Sequence, residues 1–565
     1  MPDPVWTTAC PDWERRIVSR ESLIPHPPLF PAEAAAALEM FKALHVVDMG
    51  SLDNSPTMGD ISRAWVLDFV ASVFGAYNPE TGRRLIREWF LLISKKNGKS
   101  TDAAGIMMTA LLLNWRQSGE FGILAPTIEV ASNAYNPARD MIKADPELAA
   151  LLHVQDHIRK ITHRETGASL QVVAADSETV AGKKWIATLV DELWLFGKKP
   201  NAAKMLLEAT GGMASRPEGF VIYSSTQSDE PPAGVFKEKL RYARGVRDGR
   251  IHDPEFMPVL YEYPRQMLAE KAYLKPENFY VTNPNLGASV DEKFIQRKFR
   301  EAQEGGEESL QLVLSKYLNV EIGLGLMSDR WAGADFWQAQ AVPVFTLAEL
   351  IARCEVATVG IDGGGLDDLL GLVVIGREKG TGRWLWWAHA WAHEIALERR
   401  KEIAPRLLDF QKDGDLTIVK APGPDVEGVA DRVCELKAAG LLPDEMAIGV
   451  DSAGIKAIVA ALTSKKRGIN EKQLIAISQG WALGGAIKDT ERKLAGGEIV
   501  HAGSALMAWC VGNARVEDRA NSILITKQAS GKAKIDPLMA GFNAVSLMAL
   551  NPPVPGKKFQ FFAIG

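Results

Sequence analysis

Two groups of residues in this 565-residue chain have types and spacings that could do chemistry. The first is Ser94-Lys95-Lys96-Asn97-Gly98-Lys99-Ser100-Thr101, a polar stretch between an apolar run (Trp89 to Ile93) and an apolar segment that reads as a helix. A strand, a loop and a helix opened by Gly-Lys-Ser form a phosphate cradle. Loop N–H groups and the helix N-terminus attract the phosphates, Lys99 reaches the β- and γ-phosphates, and the Ser100 hydroxyl suits Mg²⁺. Ile93 stands where a P-loop usually has its first glycine, and the plainer reading is a cationic cap on a buried helix. The second half of the nucleotide signal follows downstream. Trp185 to Val190 is an apolar strand ending in Asp191 and Glu192, one acid suited to holding Mg²⁺ through water and one to polarising the attacking water. Phe220 to Tyr223, the next strand, ends in Ser224, Ser225, Thr226 and Gln227, where an ATPase senses its γ-phosphate.

The second group is three aspartates in separate contexts. Asp362 ends a strand that opens a β-meander, Asp451 ends a strand followed by a helix (Ile455 to Leu462), and Asp536 opens a terminal apolar helix. Carboxylates converging from different elements can hold two divalent cations about 4 Å apart for phosphodiester cleavage. Each alone is more often a solvated strand end, but their order is the ribonuclease H-like one. His389 and His393, at i and i+4 in an aromatic strand-like stretch, lack an accompanying acid and read as packing residues.

The elements that must position these groups alternate β and α. Further strands are expected at Phe121 to Ala125 and Leu170 to Ala174, with a helix over Ile128 to Ile142 interrupted by Pro137. Helices are also expected at Ala32 to Leu44 and Ser62 to Phe74, where an aromatic could stack on a base. From Asp229 to Glu304 the chain reads as polar and helical, and its basic residues (Lys237, Lys239, Arg241, Arg244, Arg247) suit either a solvated or a DNA-facing surface.

Composition frames the rest. The chain is 47% hydrophobic and 24% charged with net charge −5, so any nucleic-acid contact relies on local basic patches. No apolar run spans a bilayer, and the four scattered cysteines suit a reducing compartment. A protein neither secreted nor membrane-bound is expected.

Taken in order, Ser94 to Thr101, Leu189-Val-Asp-Glu192, Tyr223 to Thr226, Gly360-Ile-Asp362, Val450-Asp451 and Ile535-Asp536 resemble the large terminase subunit of tailed bacteriophages, of the HK97-like type. The likeness covers about residues 60 to 550, and Tyr317 to Val320 with Trp331 looks like the end of that family's motor domain. In that family the first glycine of the loop is commonly absent. The resemblance implies an α/β chain: an ASCE P-loop ATPase with a mainly parallel sheet flanked by helices, then a ribonuclease H-like nuclease. The expected ranges are a helical extension over 1–60, a motor over 61–345 with a linker or lid from about 229, and a nuclease over 355–565.

It implies ATP and Mg²⁺ held by the 94–101 loop with Asp191 and Thr226, and Glu192 as the catalytic carboxylate. It also implies Mg²⁺ or Mn²⁺ at Asp362, Asp451 and Asp536, with Asp368 or Asp367 as an additional acid. An arginine acting in trans maps to Arg139, with Arg83, Arg84 and Arg87 competing. Implied partners are double-stranded DNA, a portal protein, a small terminase subunit and further copies in a ring, by resemblance a pentamer. The expected location is the host cytoplasm. The tail from Pro555 to Gly565 suits either a portal-docking peptide or a terminal strand. The rivals are a helicase-like ATPase with a binding-only C-terminal domain and a non-enzymatic assembly subunit.

Overall fold

The computed structural model describes residues 4–49, 54–174, 182–199, 201–322, 331–451, 456–519, 522–527 and 534–556. Within them the chain forms two compact units, Met1–Ile322 and Gly323–Gly565. The break comes before the expected 345 because Trp331 and Trp337 are buried in the second unit's core, against Trp386 and Phe542. Of the tail, only Pro555 and Gly556 lie within the described residues, as do 456–462 of the helix expected after Asp451.

In the first unit, strands β1 (Glu88–Leu92), β2 (Glu120–Ala125), β3 (Leu152–Gln155), β4 (Lys160–His163), β5 (Ser169–Ala174), β6 (Trp185–Val190), β7 (Phe220–Ser225) and β8 (Phe256–Leu260) form one sheet. Its order is β8-β1-β7-β6-β2-β5-β4-β3, parallel from β8 to β5 and antiparallel beyond. The parallel strands are near-continuous apolar runs because helices cover both faces. Those helices include α1 (Ala64–Phe74), α2 (Lys99–Leu112), α3 (Ile128–Ala144) and α4 (Gly234–Arg247), while α5 (Glu307–Tyr317) packs on the helix Glu292–Glu304. One strand, β7, separates the strand entering the phosphate loop from the strand ending in Asp191.

Two expectations need correction, and the open reading of the basic residues gains an answer. Strand β8 lies in the stretch read as helical. It tolerates Pro258 because it is the sheet's edge, where a missing N–H breaks no ladder on the open side. Helix α3 runs unbroken through Pro137. The basic residues of α4 are largely committed internally: Lys239 pairs with Glu88, and Arg244 and Arg247 share Glu262.

In the second unit, β9 (Cys354–Gly363), β10 (Leu370–Glu378) and β11 (Trp384–His393) form the meander. β12 (Leu416–Val419), β13 (Ile448–Asp451) and β14 (Leu474–Ile477) complete the order β12-β11-β10-β9-β13-β14, with β15 (Ile499–His501) paired to the start of β11. Helix α6 (Asp536–Met548) lies directly on β9 and β10. That approach requires bare backbone, since a Cβ at Gly360 would stand 1.8 Å from the Ala540 carbonyl oxygen and one at Gly371 2.6 Å from Pro537 Cα. Among the described residues no helix is long and apolar enough to cross a membrane.

Candidate active sites

The phosphate loop leaves β1 at the carboxyl edge of the parallel strands, where open α/β sheets bind ligands. Gly98 caps α2 at φ +80° and Lys96 holds φ +72°, so the loop turns through left-handed backbone twice before the helix begins. Neighbouring segments fix it. Asn97 is fully buried; its amide donates to the Ser94 carbonyl (3.1 Å) and to Asn283 Oδ1 (2.8 Å), and its side-chain oxygen accepts the Asn285 N–H (3.0 Å). Asn285 Nδ2 in turn donates to the Asn97 carbonyl, Ser289 binds the Lys96 carbonyl, and the Lys95 N–H donates to the Lys316 carbonyl. These loop partners escaped sequence reading, because an isolated Asn or Lys carries no periodic signal; only the Asn-Pro-Asn turn at 283–285 hinted at them.

Lys99, buried at the start of α2, places Nζ 2.8 Å from Glu192 Oε1 and 4.0 Å from Asp191 Oδ1. Glu192 sits at φ +52°, an unfavourable conformation for a residue with a Cβ and of the kind that gathers at active sites. Its second oxygen accepts from the Trp194 indole at 2.6 Å. Burial pushes the Asp191 carboxyl above its usual range despite Lys99, whereas Lys99 and Trp194 outweigh burial and hold Glu192 below its own. Asp191 Oδ2 and the Ser94 and Ser224 hydroxyls are buried without hydrogen-bond partners, which fits a site built to receive a metal and phosphate oxygens. Ser100 and Thr101 follow in the first turn of α2, and Thr226 is buried at the end of β7. Beside the loop, a cavity of about 620 Å³ is lined by Arg63, Trp65, Tyr261, Tyr280 and Asn283. The Trp65 indole donates to Asn285, so the aromatic expected on α1 adjoins the loop.

Arg139 on α3 is partly exposed, pairs with Asp140 at 2.8 Å and lies 3.8 Å from Asp156. Two of its competitors are tied up inside the unit. Arg84 binds the carbonyls of Glu218 and Val73, and Arg87 those of Met213 and Arg216. Arg83 is exposed.

In the second unit, Ile361 pairs with Val450, which brings the strand ends carrying Asp362 and Asp451 side by side. Helix α6 delivers Asp536 over the same edge; a Cβ on Gly363 would lie 3.1 Å from Asp536 Cβ. Burial and the charges of Asp536, Asp451 and Asp368 push the Asp362 carboxyl well above its usual range. Burial and Asp368 push Asp536 up as well. Asp368 itself is drawn down against its burial by hydrogen bonds from Asp536 and from Lys534, whose Nζ stands 2.5 Å from Asp368 Oδ1. Asp367 turns instead to Arg400, at 3.1 Å. Among the described residues no three carboxylates stand at metal-ligating separations, with Lys534 as the cation bound to Asp368. The donor set still fits a hard divalent cation: oxygen-only and mutually repelling. His389 binds the Thr417 hydroxyl and His393 pairs with Asp425, so both are structural here.

A nucleotide-type phosphate loop facing a strand-end acid pair, joined to a unit that gathers carboxylates at one sheet edge, defines a two-part enzyme: an NTP hydrolase with a nuclease. Residues 64–245 match the family model for the terminase large subunit ATPase domain, and residues 258–551 that for its endonuclease domain. The chain belongs to the terminase large subunit family; it is an ATPase and an endonuclease of viral DNA packaging. The family match does not favour the helicase-like alternative. Among solved structures, the chain is similar to the large terminase of bacteriophage HK97 (20% identity, covering 91% of this chain and 99% of that one, TM-score 0.46). It is also similar to a large terminase from a thermophilic bacteriophage, solved in complex with ADP (14%, 83% and 94%, TM-score 0.31). A third likeness is to the large terminase nuclease of another thermophilic phage (13%, 39% and 98%, TM-score 0.25). No curated protein matches.

Proposed function

We propose that ATP hydrolysis takes place at Lys99, Ser100, Asp191 and Glu192, and that DNA is cut at Asp362, Asp368, Asp451 and Asp536. The observation that carries the first assignment is the convergence of Lys99, Asp191 and Glu192 at one strand edge, with Asp191 Oδ2 unpartnered. Lys99, which here neutralises Glu192, is placed to neutralise phosphate charge instead, and Glu192 then takes the proton of the attacking water. Ser100 and Asp191 would hold Mg²⁺, which supplies charge neutralisation on the transferred phosphoryl group when bound. Asn97 and the other loop residues, Ser94 to Thr101, keep the cradle in shape. Thr226, at the end of the strand between the two acidic and basic elements, is placed to report loss of the phosphate.

In the nuclease, the four aspartates would hold Mg²⁺ or Mn²⁺, which supplies water activation and stabilises the leaving oxygen. Mutual repulsion among the acids is what a divalent cation relieves. Arg139 acts in trans on a neighbour's ATP site, in a ring of copies, by family likeness a pentamer on the portal protein. The small subunit delivers DNA, and the work takes place in the host cytoplasm. A motor over 61–345 and a nuclease over 355–565 remain the functional ranges we propose, overlapping the structural break between 322 and 323.

The test is the Glu192→Gln variant of the full chain, assayed for ATP turnover and for binding of a non-hydrolysable analogue. Turnover should vanish with binding intact; hydrolysis at the wild-type rate would sink the assignment.

A further inference from the structure

The catalytic carboxylate proposed above is held by a side chain that nothing in the phosphate-loop pattern requires. Trp194, on the short helix after Asp191-Glu192, donates its indole N–H to Glu192 Oε2 at 2.6 Å, a charge-assisted hydrogen bond on a buried ring. Its backbone N–H is anchored on Ser225 Oγ, at the end of β7. The ring in turn carries two ammonium groups. Lys316 Nζ lies 3.0 Å from its centroid and Lys198 Nζ 5.1 Å, both within cation–π range.

Lys316 is 3% exposed and belongs to the last turn of α5, close to the end of the first unit. It also donates to the Gln227 carbonyl at 2.9 Å, while its own carbonyl accepts the Lys95 N–H of the phosphate loop. Three residues on, Asn319 accepts the Gln227 N–H and donates to the Tyr261 carbonyl. Burial pulls the Lys316 ammonium down to about 7, against the charges of Asp229 and Glu192. One side chain from the end of the unit thus touches the strand end beyond Thr226 and the ring that aims Glu192, while its backbone touches the loop.

We propose that Trp194 and Lys316 are positioning residues for hydrolysis: Lys316 seats the Trp194 ring, and Trp194 aims the Glu192 carboxylate. The position of α5 thereby sets whether the site is competent to turn over, independently of whether it binds nucleotide. The inference rests on Glu192 being the catalytic carboxylate, and the experiment separates the two.

The full chain is prepared as wild type, Trp194→Phe, Lys316→Met, the double variant and Glu192→Gln. Each is assayed for kcat and KM of ATP hydrolysis, and calorimetry gives its affinity for a non-hydrolysable ATP analogue. Phe keeps an aromatic ring under Lys316 and removes the indole N–H with the five-membered ring that carries it. We expect kcat to fall about 10- to 100-fold in Trp194→Phe, with analogue affinity within about threefold of wild type. Lys316→Met should lower kcat as well, and the double variant should be no slower than Trp194→Phe, because the two act through one carboxylate. Unchanged kcat in Trp194→Phe, losses that multiply in the double variant, or affinity falling in step with kcat would overturn the proposal. Should Trp194→Phe not fold by circular dichroism, unchanged kcat in Lys316→Met alone overturns it. Full activity in Glu192→Gln would instead refute the underlying reading of Glu192.

Discussion

Replacing Asn97 by Ala should loosen the phosphate loop by an amount that can be worked from its contacts. The side chain is fully buried, donates to the Ser94 carbonyl and to Asn283 Oδ1, and accepts the Asn285 N–H. Truncation leaves the Asn285 N–H without its acceptor and Asn283 Oδ1 without its donor, both away from water. A buried group left unpaired costs about 1–3 kcal/mol. Asn283 itself stays anchored, because its own amide still donates to the Phe279 and Tyr317 carbonyls. A net loss of about 2–4 kcal/mol in local stability follows. Because the chain has two compact units, one melting temperature would mix them, and peptide-resolved hydrogen exchange is the better assay. By the relation of tenfold per 1.36 kcal/mol, amides of the loop and of residues 283–289 should exchange roughly 30- to 1000-fold faster. The exposed neighbour Lys96→Ala serves as control, since its side chain makes none of these bonds. Exchange within about threefold of wild type in Asn97→Ala would refute the view that this amide clamps the loop.

Other expectations follow from the same geometry. Asp102, buried in the first turn of α2 with Oδ2 unpartnered, has its carboxyl raised by burial to about 8. A folded value above the unfolded one means stability is complete below the unfolded value near 4 and declines as pH rises toward 8. Asp102→Asn should therefore be near neutral at pH 4 and stabilise by about 1–3 kcal/mol at pH 8, read by denaturant unfolding at both; no gain at pH 8 would contradict the buried-carboxyl account. Asp362→Ala should abolish metal-dependent plasmid cleavage and leave ATP turnover intact, and loss of both would argue against separable activities. Because Asp362 and Asp536 are both raised, protons should compete with metal, so the Mn²⁺ concentration for half-saturation by calorimetry should rise as pH falls from 8 to 6. A pH-independent affinity would refute that coupling.

What was legible in the chain was what repeats or punctuates. Apolar runs that stop at the 94–101 loop, at Asp191-Glu192, at Asp362 and at Asp451 marked strand ends, and these are real strand ends at two sheet edges. What escaped depends on distant partners. Pro258 hid β8, since only knowledge that the strand is an edge makes a proline acceptable there. Pro137 suggested a break that α3 does not make. Trp194, Asn283, Lys316 and Lys534 are single side chains whose meaning lies in what they touch across the fold. The tripled glycine at 363–365 left the choice between Asp367 and Asp368 open. Arg400 engages the first, and it is the second whose charge Asp362 and Asp536 feel.

The contact of α6 on bare backbone at Gly360 and Gly371 carries a genetic consequence. The height of Asp536 above the sheet is set by hydrogen atoms, so even a single methyl group at either glycine would lift the helix that carries it. A screen for mutants that fill heads but fail to release them from the concatemer should therefore collect lesions at these two glycines as readily as at the aspartates. Such alleles would be spacing defects with every acid still present, and a second change that shortens the facing part of α6 should rescue them.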